Sequence, residues 1–269
     1  MANFDINQFK VRELPYYQAQ SNEVELYTAA YRSRLPVMVK GPTGCGKSRF
    51  IEFMAYQLDK PIITVSCNED ITASDLIGRF LLDANGTRWI DGPLTLAARH
   101  GAICYLDEVV EARQDTMVVI HSLTDHRRKL MLDKKGELLK AHPDFQLVIS
   151  YNPGYQSLMK DLKQSTKQRF VAMDFDFASE ELETKIVAQE SSVDQDIAAK
   201  LVQFANTTRA LVGHGLDEGA STRLLNYAGT LIVGGVDIKD ACQMALVKPI
   251  TDDDEVRETM LISIEAIFG

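Results

Sequence analysis

The chain has 269 residues, of which 45% are hydrophobic, so it can bury a sizeable core and is long enough for one large domain and a smaller one. Its 29 Lys and Arg residues against 38 Asp and Glu residues give a formal net charge of −9, which argues against nucleic acid as the first partner. The four cysteines form no CxxC pair, which argues against a zinc site, and the first ten residues contain no apolar stretch suited to a signal peptide or a membrane span. We therefore expect a cytoplasmic protein without a nucleic-acid or membrane partner.

Short β-branched runs alternate with amphipathic stretches up to about Asp176, which is typical of a parallel sheet covered by helices. We predict five strands, over residues 37–40, 62–66, 103–106, 147–150 and 170–175. Beyond Asp176 the strand pattern ends, and five helices are predicted over residues 179–190, 194–209, 220–233, 238–246 and 252–267. The sequence thus predicts an α/β domain over residues 1–177, with helices on both faces of a five-stranded parallel sheet, and a smaller all-helical domain over residues 178–269.

Residues 41–48, GPTGCGKS, match the pattern GxxxxGK[ST] and lie between the first predicted strand and a helical pattern. Such glycines let backbone N–H groups surround a β-phosphate, while Lys47 can reach the β- and γ-phosphates and the Ser48 hydroxyl can ligate Mg²⁺. A glycine-rich turn that binds no nucleotide is the alternative, but it does not account for the complete motif and its flanks. Cys45 is either a small filler residue or, as a hypothesis, a thiol whose oxidation blocks nucleotide binding. With ATP and Mg²⁺ as the expected ligands, the candidate binding residues are Gly41, Pro42, Thr43, Gly44, Cys45, Gly46, Lys47, Ser48 and Arg49.

Asp107 and Glu108 end an apolar strand about 60 residues after this phosphate loop, as in many P-loop ATPases. Asp107 can hold Mg²⁺ through water, and Glu108 can polarise the attacking water as a general base. Adjacent carboxylates at a strand end are also common on solvated surfaces, and it is the phosphate loop that makes catalysis the better interpretation. Asn152 follows the next strand and can position the same water, although on its own an Asn-Pro turn would be the simpler explanation.

Four stretches carry a resemblance to a known family: GPTGCGK at 41–47, YLDEVVEARQD at 105–115, SYNPGYQ at 150–156 and GASTR at 219–223. Their order resembles AAA+ ATPases of the MoxR branch, and the motifs are similar to those of the CbbQ/NirQ/NorQ family over essentially the whole chain. The resemblance implies that Asn152 is the sensor 1 residue, that Arg169 is an arginine finger supplied to the neighbouring subunit, and that Arg223 is the sensor 2 arginine of a helical lid. Judged from the residues alone, Arg169 would be a surface cation and Arg223 could pair with Asp217 or Glu218.

The same resemblance implies an assembly and partners. It implies a homo-oligomeric ring, which we expect to be a hexamer. It also implies a CbbO-like partner that carries a von Willebrand factor A domain. The implied client is rubisco, freed of inhibitory sugar phosphates, or alternatively nitric oxide reductase during maturation. Two other classes of function stay open: a nucleotide-dependent scaffold with little turnover, and a DNA-remodelling motor, for which the acidic balance offers little support.

Two segments, residues 71–92 and 129–140, exceed what a minimal P-loop domain needs, and both resemble insertions of the family. In the second segment leucines flank the sequence DKKG, which predicts a β-hairpin. The basic run over residues 126–129 is interpreted as a solvated helix end, with a surface facing a neighbouring subunit's nucleotide as the alternative. In a ring the insertions would project toward the pore or one face, so the candidate client contacts are Phe80, Leu81, Leu82 and Trp89. Phe80 and Trp89 could equally pack the first insertion onto its own domain.

Overall fold

The computed structural model describes residues 5–84, 86–153 and 162–269. The chain divides into two compact units: one combines Met1–Gly41 with Lys47–Asp174, and the other combines Pro42–Gly46 with Phe175–Gly269. Residues 154–156, the GYQ part of the third family-like stretch, lie outside the described residues. Within the described ranges, every helix is too short or too polar to pass through a bilayer.

The first unit contains the described strands and six of the described α-helices. Its strands are β1 (Val37–Lys40), β2 (Ile62–Ser66), β3 (Gly78–Asp83), β4 (Gly86–Asp91), β5 (Ile103–Asp107), β6 (Lys129–Leu132), β7 (Glu137–Lys140), β8 (Gln146–Tyr151) and β9 (Val171–Asp174). Its α-helices are α1 (Glu23–Arg32), α2 (Lys47–Gln57), α3 (Ala73–Ile77), α4 (Pro93–His100), α5 (Gln114–Met117) and α6 (Gln164–Lys167). Short 3-10 helices cover Ile6–Phe9, Val109–Glu111, Val118–Ile120 and Asp133–Lys135.

Within the described residues, β1, β2, β5, β8 and β9 form one sheet in the order β2-β5-β8-β1-β9. All neighbouring pairs are parallel, with Val39 opposite both Ser150 and Met173, and Leu106 opposite Ile149. This confirms the predicted five-stranded parallel sheet. Because parallel strands end at one edge, the loops that follow β1, β5 and β8 leave the sheet side by side, and these loops carry the candidate site.

The residues of β1 illustrate why the sheet is covered on both faces. Met38 packs in a buried cluster that also includes Ile63 of β2 and Cys104 of β5. Val37 and Val39 are also fully buried, and strand alternation places their side chains on the opposite face of the sheet. Both faces therefore exclude water, as expected of a parallel sheet between layers of helices.

Both segments interpreted as insertions contain a β-hairpin. β6 and β7 pair antiparallel with Leu130 opposite Leu139, which confirms the hairpin predicted within residues 129–140. β3 and β4 pair antiparallel with Arg79 opposite Ile90, and this hairpin was not predicted. The short helix α3 precedes it, capped by Thr72.

An ion-pair cluster centred on α4 connects the two hairpins. The guanidinium of Arg99 donates to Asp91 at the end of β4 (2.8 Å) and, in a bidentate contact, to Glu137 at the start of β7 (2.7 and 3.1 Å). The Arg99 hydrogen bonds, helped by Lys135, lower the pKa of Glu137 to about 2. The Arg99 side chain thus connects the two hairpins to each other.

The basic run over residues 126–129 is not a helix end, so this interpretation is wrong. Arg127 is exposed and pairs with Asp125, but Arg128 has a left-handed backbone (φ 48°) and donates to the carbonyls of Arg34 (2.9 Å) and Phe145 (2.6 Å). Backbone carbonyls without another donor need such a partner when they are shielded from water. Arg128 therefore has a structural role in the turn before β6.

The second unit is helical, as predicted. It contains α7 (Glu180–Ser191), α8 (Gln195–Ala210), α9 (Thr222–Val233), α10 (Ile238–Cys242), a π-helix (Gln243–Val247) and α11 (Asp254–Phe268). The side chains of Asp194, Ser221, Asp237 and Asp253 cap the starts of α8 to α11, which accounts for where these helices begin. The helix predicted over residues 238–246 is α10 continued by the π-helical turn.

A buried ion pair links three helices of this unit. Glu183 of α7 is fully buried and accepts two hydrogen bonds from the Arg209 guanidinium of α8, both at 2.7 Å. The hydroxyl of Thr222, the first residue of α9, donates to the same carboxylate at 2.6 Å. Arg209 also stacks 3.6 Å from the centre of the Phe177 ring. The turn that starts α9 is therefore anchored to α7 and α8 by a polar network.

Candidate active site

The phosphate loop links β1 to α2 through residues in unusual backbone conformations. Gly44 and Gly46 have φ of 70° and 98°, in the left-handed region that side chains disfavour, and α2 begins at Lys47 immediately afterwards. Pro42–Gly46 group with the second unit, whereas Gly41 and Lys47 belong to the first. A left-handed glycine turn that leads directly into a helix start matches what a bound phosphate requires.

Lys47 is held at the sheet edge although it is almost completely buried. Its ammonium donates to the carbonyl of Gly41 (2.8 Å) and to the side-chain oxygen of Asn152 (2.7 Å), which follows β8. The structure therefore brings together the predicted phosphate-binding lysine and the predicted sensor 1 residue. A buried ammonium at the carboxyl edge of the sheet is suited to attract phosphate oxygens.

The two candidate metal ligands are also neighbours. Ser48 Oγ donates to one carboxylate oxygen of Asp107 at 3.0 Å, so the first turn of α2 and the end of β5 converge. Hydroxyl and carboxylate oxygens are the donors that Mg²⁺ prefers, and it is commonly bound by one or two protein oxygens together with substrate phosphates and water. These two residues fit a nucleotide-bound Mg²⁺.

Two further hydroxyls contact Asp107 and were not predicted as site residues. Tyr105 Oη donates to its second carboxylate oxygen at 2.7 Å, and Ser150 Oγ of β8 donates to that same oxygen. Burial, followed by the nearby charge of Asp107, raises the pKa of Tyr105 well above its usual range, so this hydroxyl stays protonated and donates. The sequence held one signal for Tyr105, because residues two apart on a strand face the same side.

Glu108 differs from its neighbours in exposure and backbone. Its carboxylate side chain is exposed and its φ is 53°, left-handed for a residue other than glycine. Its backbone N–H donates to Asp107 and to Ser150 Oγ, both at 3.1 Å, and the 3-10 helix Val109–Glu111 starts immediately after it. Strained backbone of this kind concentrates at functional sites.

Arg169, the predicted arginine finger, follows α6 in the first unit. It is partly buried, and it donates to the carbonyl of His121 over 3.4 Å. Its Nε is buried without a hydrogen-bond partner among the described residues. Burial, then the charges of Arg169 and Lys163, lowers the pKa of His121. The described hydrogen bonds of Arg169 include none to Asp107 or Glu108, so its catalytic role stays a prediction.

Arg223 is the second residue of α9 in the second unit. The alternative ion pair with Asp217 or Glu218 is not formed among the described residues. A Cβ on Gly44 would lie 2.6 Å from the Cβ of Ser221 and 3.5 Å from that of Arg223, so this part of the loop packs closely on the start of α9. Within the second unit, Arg223 thus lies near Gly44, and its role as sensor 2 stays a prediction.

The remaining loop positions have simpler environments. Cys45 is only 7% exposed, so reagents have limited access to its thiol. Arg49, on the first turn of α2, is exposed. Thr43 donates to Glu218 over a long 3.4 Å contact within the second unit.

Comparison with known proteins gives a consistent result. A family model for the AAA domain (dynein-related subfamily) matches residues 36–170, and one for the CbbQ/NirQ/NorQ C-terminal region matches residues 183–267. The chain is 66% identical to Protein CbbQ of Hydrogenophilus thermoluteolus, over 98% of each chain, and 52% identical to Protein NorQ of Paracoccus denitrificans, over 96% of this chain and 95% of that one. Among solved structures, the RuvB Holliday junction branch migration motor of Thermotoga maritima matches with a TM-score of 0.54 at 14% identity, covering 91% of this chain and 75% of that one. The last match shows a shared fold.

Proposed function

Because this chain belongs to the CbbQ/NirQ/NorQ family of AAA+ ATPases, and is thus a nucleotide-binding ATP hydrolase, we propose that it is a motor subunit that uses hydrolysis to remodel a client enzyme. The observation that carries the proposal is the convergence of a buried lysine, a serine and a carboxylate at the sheet edge, with Glu108 exposed beside them. These are the groups that phosphoryl transfer to water requires.

The residues divide the reaction between them. Lys47 binds the β- and γ-phosphates, and Ser48 and Asp107 hold Mg²⁺, which neutralises charge on the phosphates when bound. Glu108 accepts a proton from the attacking water, and Asn152 orients that water or the γ-phosphate. The exposure of Glu108 supports its role, since a general base must reach a solvent molecule. Lys47→Ala is expected to abolish nucleotide binding, measured by titration with a fluorescent ATP analogue.

We propose that the active unit is a hexameric ring in which Arg169 completes the site of the neighbouring subunit. Support comes from its buried Nε, which has no hydrogen-bond partner among the described residues and could donate to an anion. An arginine supplied in this way accelerates hydrolysis by about 10³ to 10⁵. Arg169→Ala should therefore lose ATP turnover, while Arg32→Ala, an exposed arginine on α1, should not.

Mixed rings test whether the site is shared between subunits. Glu108→Gln subunits retain Arg169, and Arg169→Ala subunits retain Glu108, so a mixture should regain turnover at the interfaces where both wild-type groups meet. Co-purification of the untagged variant through an affinity tag on the other variant confirms that hybrid rings form. Hybrid rings with no activity above that of the separate variants would mean that Arg169 acts within its own subunit or not at all.

We propose rubisco inhibited by sugar phosphates as the client, together with a partner that carries a von Willebrand factor A domain. The higher identity to CbbQ (66%) than to NorQ (52%) favours this client over nitric oxide reductase, which is the alternative. The test is the ATPase rate with each purified client, with and without the partner protein. We expect inhibited rubisco with the partner to raise the ATPase rate and nitric oxide reductase to leave it unchanged. The reverse result would mean that nitric oxide reductase is the client.

The β3–β4 hairpin is the proposed client contact. Leu82 is 81% exposed and Phe80 is 47% exposed, so β3 presents apolar surface to solvent. Trp89 instead contacts residues of the hairpin itself. Its indole N–H donates to Asp91 (2.6 Å), and its ring packs edge-to-face on that of Phe80, with 5.1 Å between the ring centres. The hairpin thus combines an internally packed indole with exposed apolar side chains on β3, which suits protein contact.

Two other functions predict different results. A scaffold that binds ATP without turnover would activate its client equally well after Glu108→Gln. A DNA-remodelling motor would bind DNA in a salt-sensitive manner, and the net charge of −9 disfavours this. The likeness to RuvB concerns the fold and does not extend to DNA as a substrate.

A further inference from the structure

We propose that Ser150 is a positioning residue for hydrolysis, because its hydroxyl joins the carboxylate of Asp107 to the backbone N–H of Glu108 and so fixes the direction of the Glu108 side chain. The inference rests on the proposed role of Glu108 as the general base.

Ser150 lies between the two acidic residues in the hydrogen-bond network. It is fully buried on β8, donates its hydroxyl proton to Asp107, and accepts the N–H of Glu108 at 3.1 Å. A hydroxyl can act as donor and acceptor at once, so one atom serves both contacts. Removing it would leave the Glu108 N–H with Asp107 alone, at 3.1 Å.

The backbone of Glu108 needs such a support. In a regular strand the side chains of consecutive residues point to opposite faces, so Asp107 and Glu108 could not share one site. The left-handed φ of 53° at Glu108 breaks this alternation. A residue other than glycine persists in that conformation only when its surroundings hold it there.

The side chain of Glu108 offers no alternative anchor. It is exposed and accepts no hydrogen bond from another residue within the described ranges, so the backbone sets the direction in which it leaves the chain at Cβ. Tyr105 provides a useful contrast, because its hydroxyl contacts Asp107 and Ser48 and does not reach the backbone of Glu108. Ser150 is therefore the side chain from a separate strand that links the metal-binding carboxylate to the backbone of the base, beside the direct contact of Asp107 with the same N–H.

The first experiment compares Ser150→Ala with Thr95→Ala, which removes another fully buried hydroxyl of the same unit that bonds the carbonyl of Ile77. Ser150→Ala is expected to lower kcat by about 10- to 100-fold, as for other residues that orient catalytic groups, with ATP affinity within about 3-fold of wild type. Thr95→Ala should leave kcat unchanged. Ser150→Thr, which keeps the hydroxyl, should recover most of kcat, and Ser150→Cys, a weaker donor of similar size, should lie between.

The melting temperature of each variant shows whether it folds. If Ser150→Ala does not fold, the kcat of Ser150→Cys is compared with that of wild type instead. A loss in ATP affinity that matches the loss in kcat would overturn the inference, since it would indicate a general disturbance of the site. Full kcat in both Ser150→Ala and Ser150→Cys would overturn it as well.

The second experiment places Ser150→Ala in the Glu108→Gln background and measures single-turnover hydrolysis. If Ser150 acts through Glu108, the second change should lower the residual rate by less than about 3-fold, because residues that act as a unit are not additive. A multiplicative loss would contradict the inference. If Glu108→Gln alone kept wild-type turnover, the role of Glu108 as base would fail instead, so the two failures are distinguishable.

Discussion

The buried ion pair between Glu183 and Arg209 should contribute measurably to the thermal stability of the helical unit. Arg209→Met removes the guanidinium that donates twice to Glu183, both at 2.7 Å, while keeping an unbranched side chain of moderate length. The carboxylate of Glu183 is fully buried and would then retain only the Thr222 hydroxyl as a described side-chain donor. A buried charge without its counter-ion is destabilising.

Removing one partner of a buried pair costs about 3–5 kcal/mol. Loss of the stacking of Arg209 on Phe177, at 3.6 Å, adds about 0.5–2 kcal/mol. For a domain of this size each kcal/mol lowers Tm by about 4–8 °C, so the melting transition of the helical unit should fall by about 12 °C or more.

The assay is thermal unfolding followed by circular dichroism and calorimetry. Lys185→Met is the matched control on α7, since Lys185 forms an exposed pair with Glu181 and should have little effect. The double variant Glu183→Leu with Arg209→Met should recover much of the loss, because both buried charges are removed together. The reasoning is refuted if Arg209→Met lowers Tm no more than Lys185→Met does.

Three further predictions concern pH, client contact and thiol chemistry. Hydrogen bonds from Arg99 lower the pKa of Glu137 to about 2 in the folded protein, so its stabilising contribution is complete above its ordinary value of 4.5 and is lost as the pH falls toward 2. The unfolding free energy from urea titrations should therefore fall more steeply between about pH 5 and about pH 3.5 in wild type than in Glu137→Gln, and equal slopes would argue against the pair. Leu82→Ser should reduce client-stimulated ATPase activity while leaving basal activity intact, whereas Leu26→Ser, on the exposed side of α1, should change neither. Alkylation of Cys45, measured by mass spectrometry, should be slow because the residue is only 7% exposed. Complete alkylation should block nucleotide binding. Full ATPase activity of the alkylated protein would reject a functional role for this thiol.

The parallel sheet and the helical unit could be predicted because local sequence patterns mark their strands and helices. Short β-branched runs predicted all five strands of the parallel sheet, and glycine and proline breaks separated the helices. The β3–β4 hairpin was missed although the segment contains Asn-Gly, a strong hairpin signal, because residues 80–82 are all apolar and do not show the alternation of an exposed strand. The role of Arg128 was also hidden, since its partners Arg34 and Phe145 are distant in sequence.

The site was predictable to the extent that its residues belong to continuous motifs. Lys47, Ser48 and Asp107 could be identified from spacing, and the structure brings Asn152 to Lys47 as the strand order requires. Ser150 could not be found in the same way, because a serine within an apolar strand gives no sign of its partners. Its importance depends on the left-handed backbone of the residue after Asp107, which only the three-dimensional arrangement reveals.

The central claim is that hydrolysis at this site drives the remodelling of a client enzyme. The most direct measurement follows phosphate release and recovery of inhibited rubisco in the same reaction, with the von Willebrand factor A partner present, for wild type and Glu108→Gln. Glu108→Gln should bind ATP and assemble but release almost no phosphate and restore no client activity. Client recovery at the wild-type rate without phosphate release would contradict it.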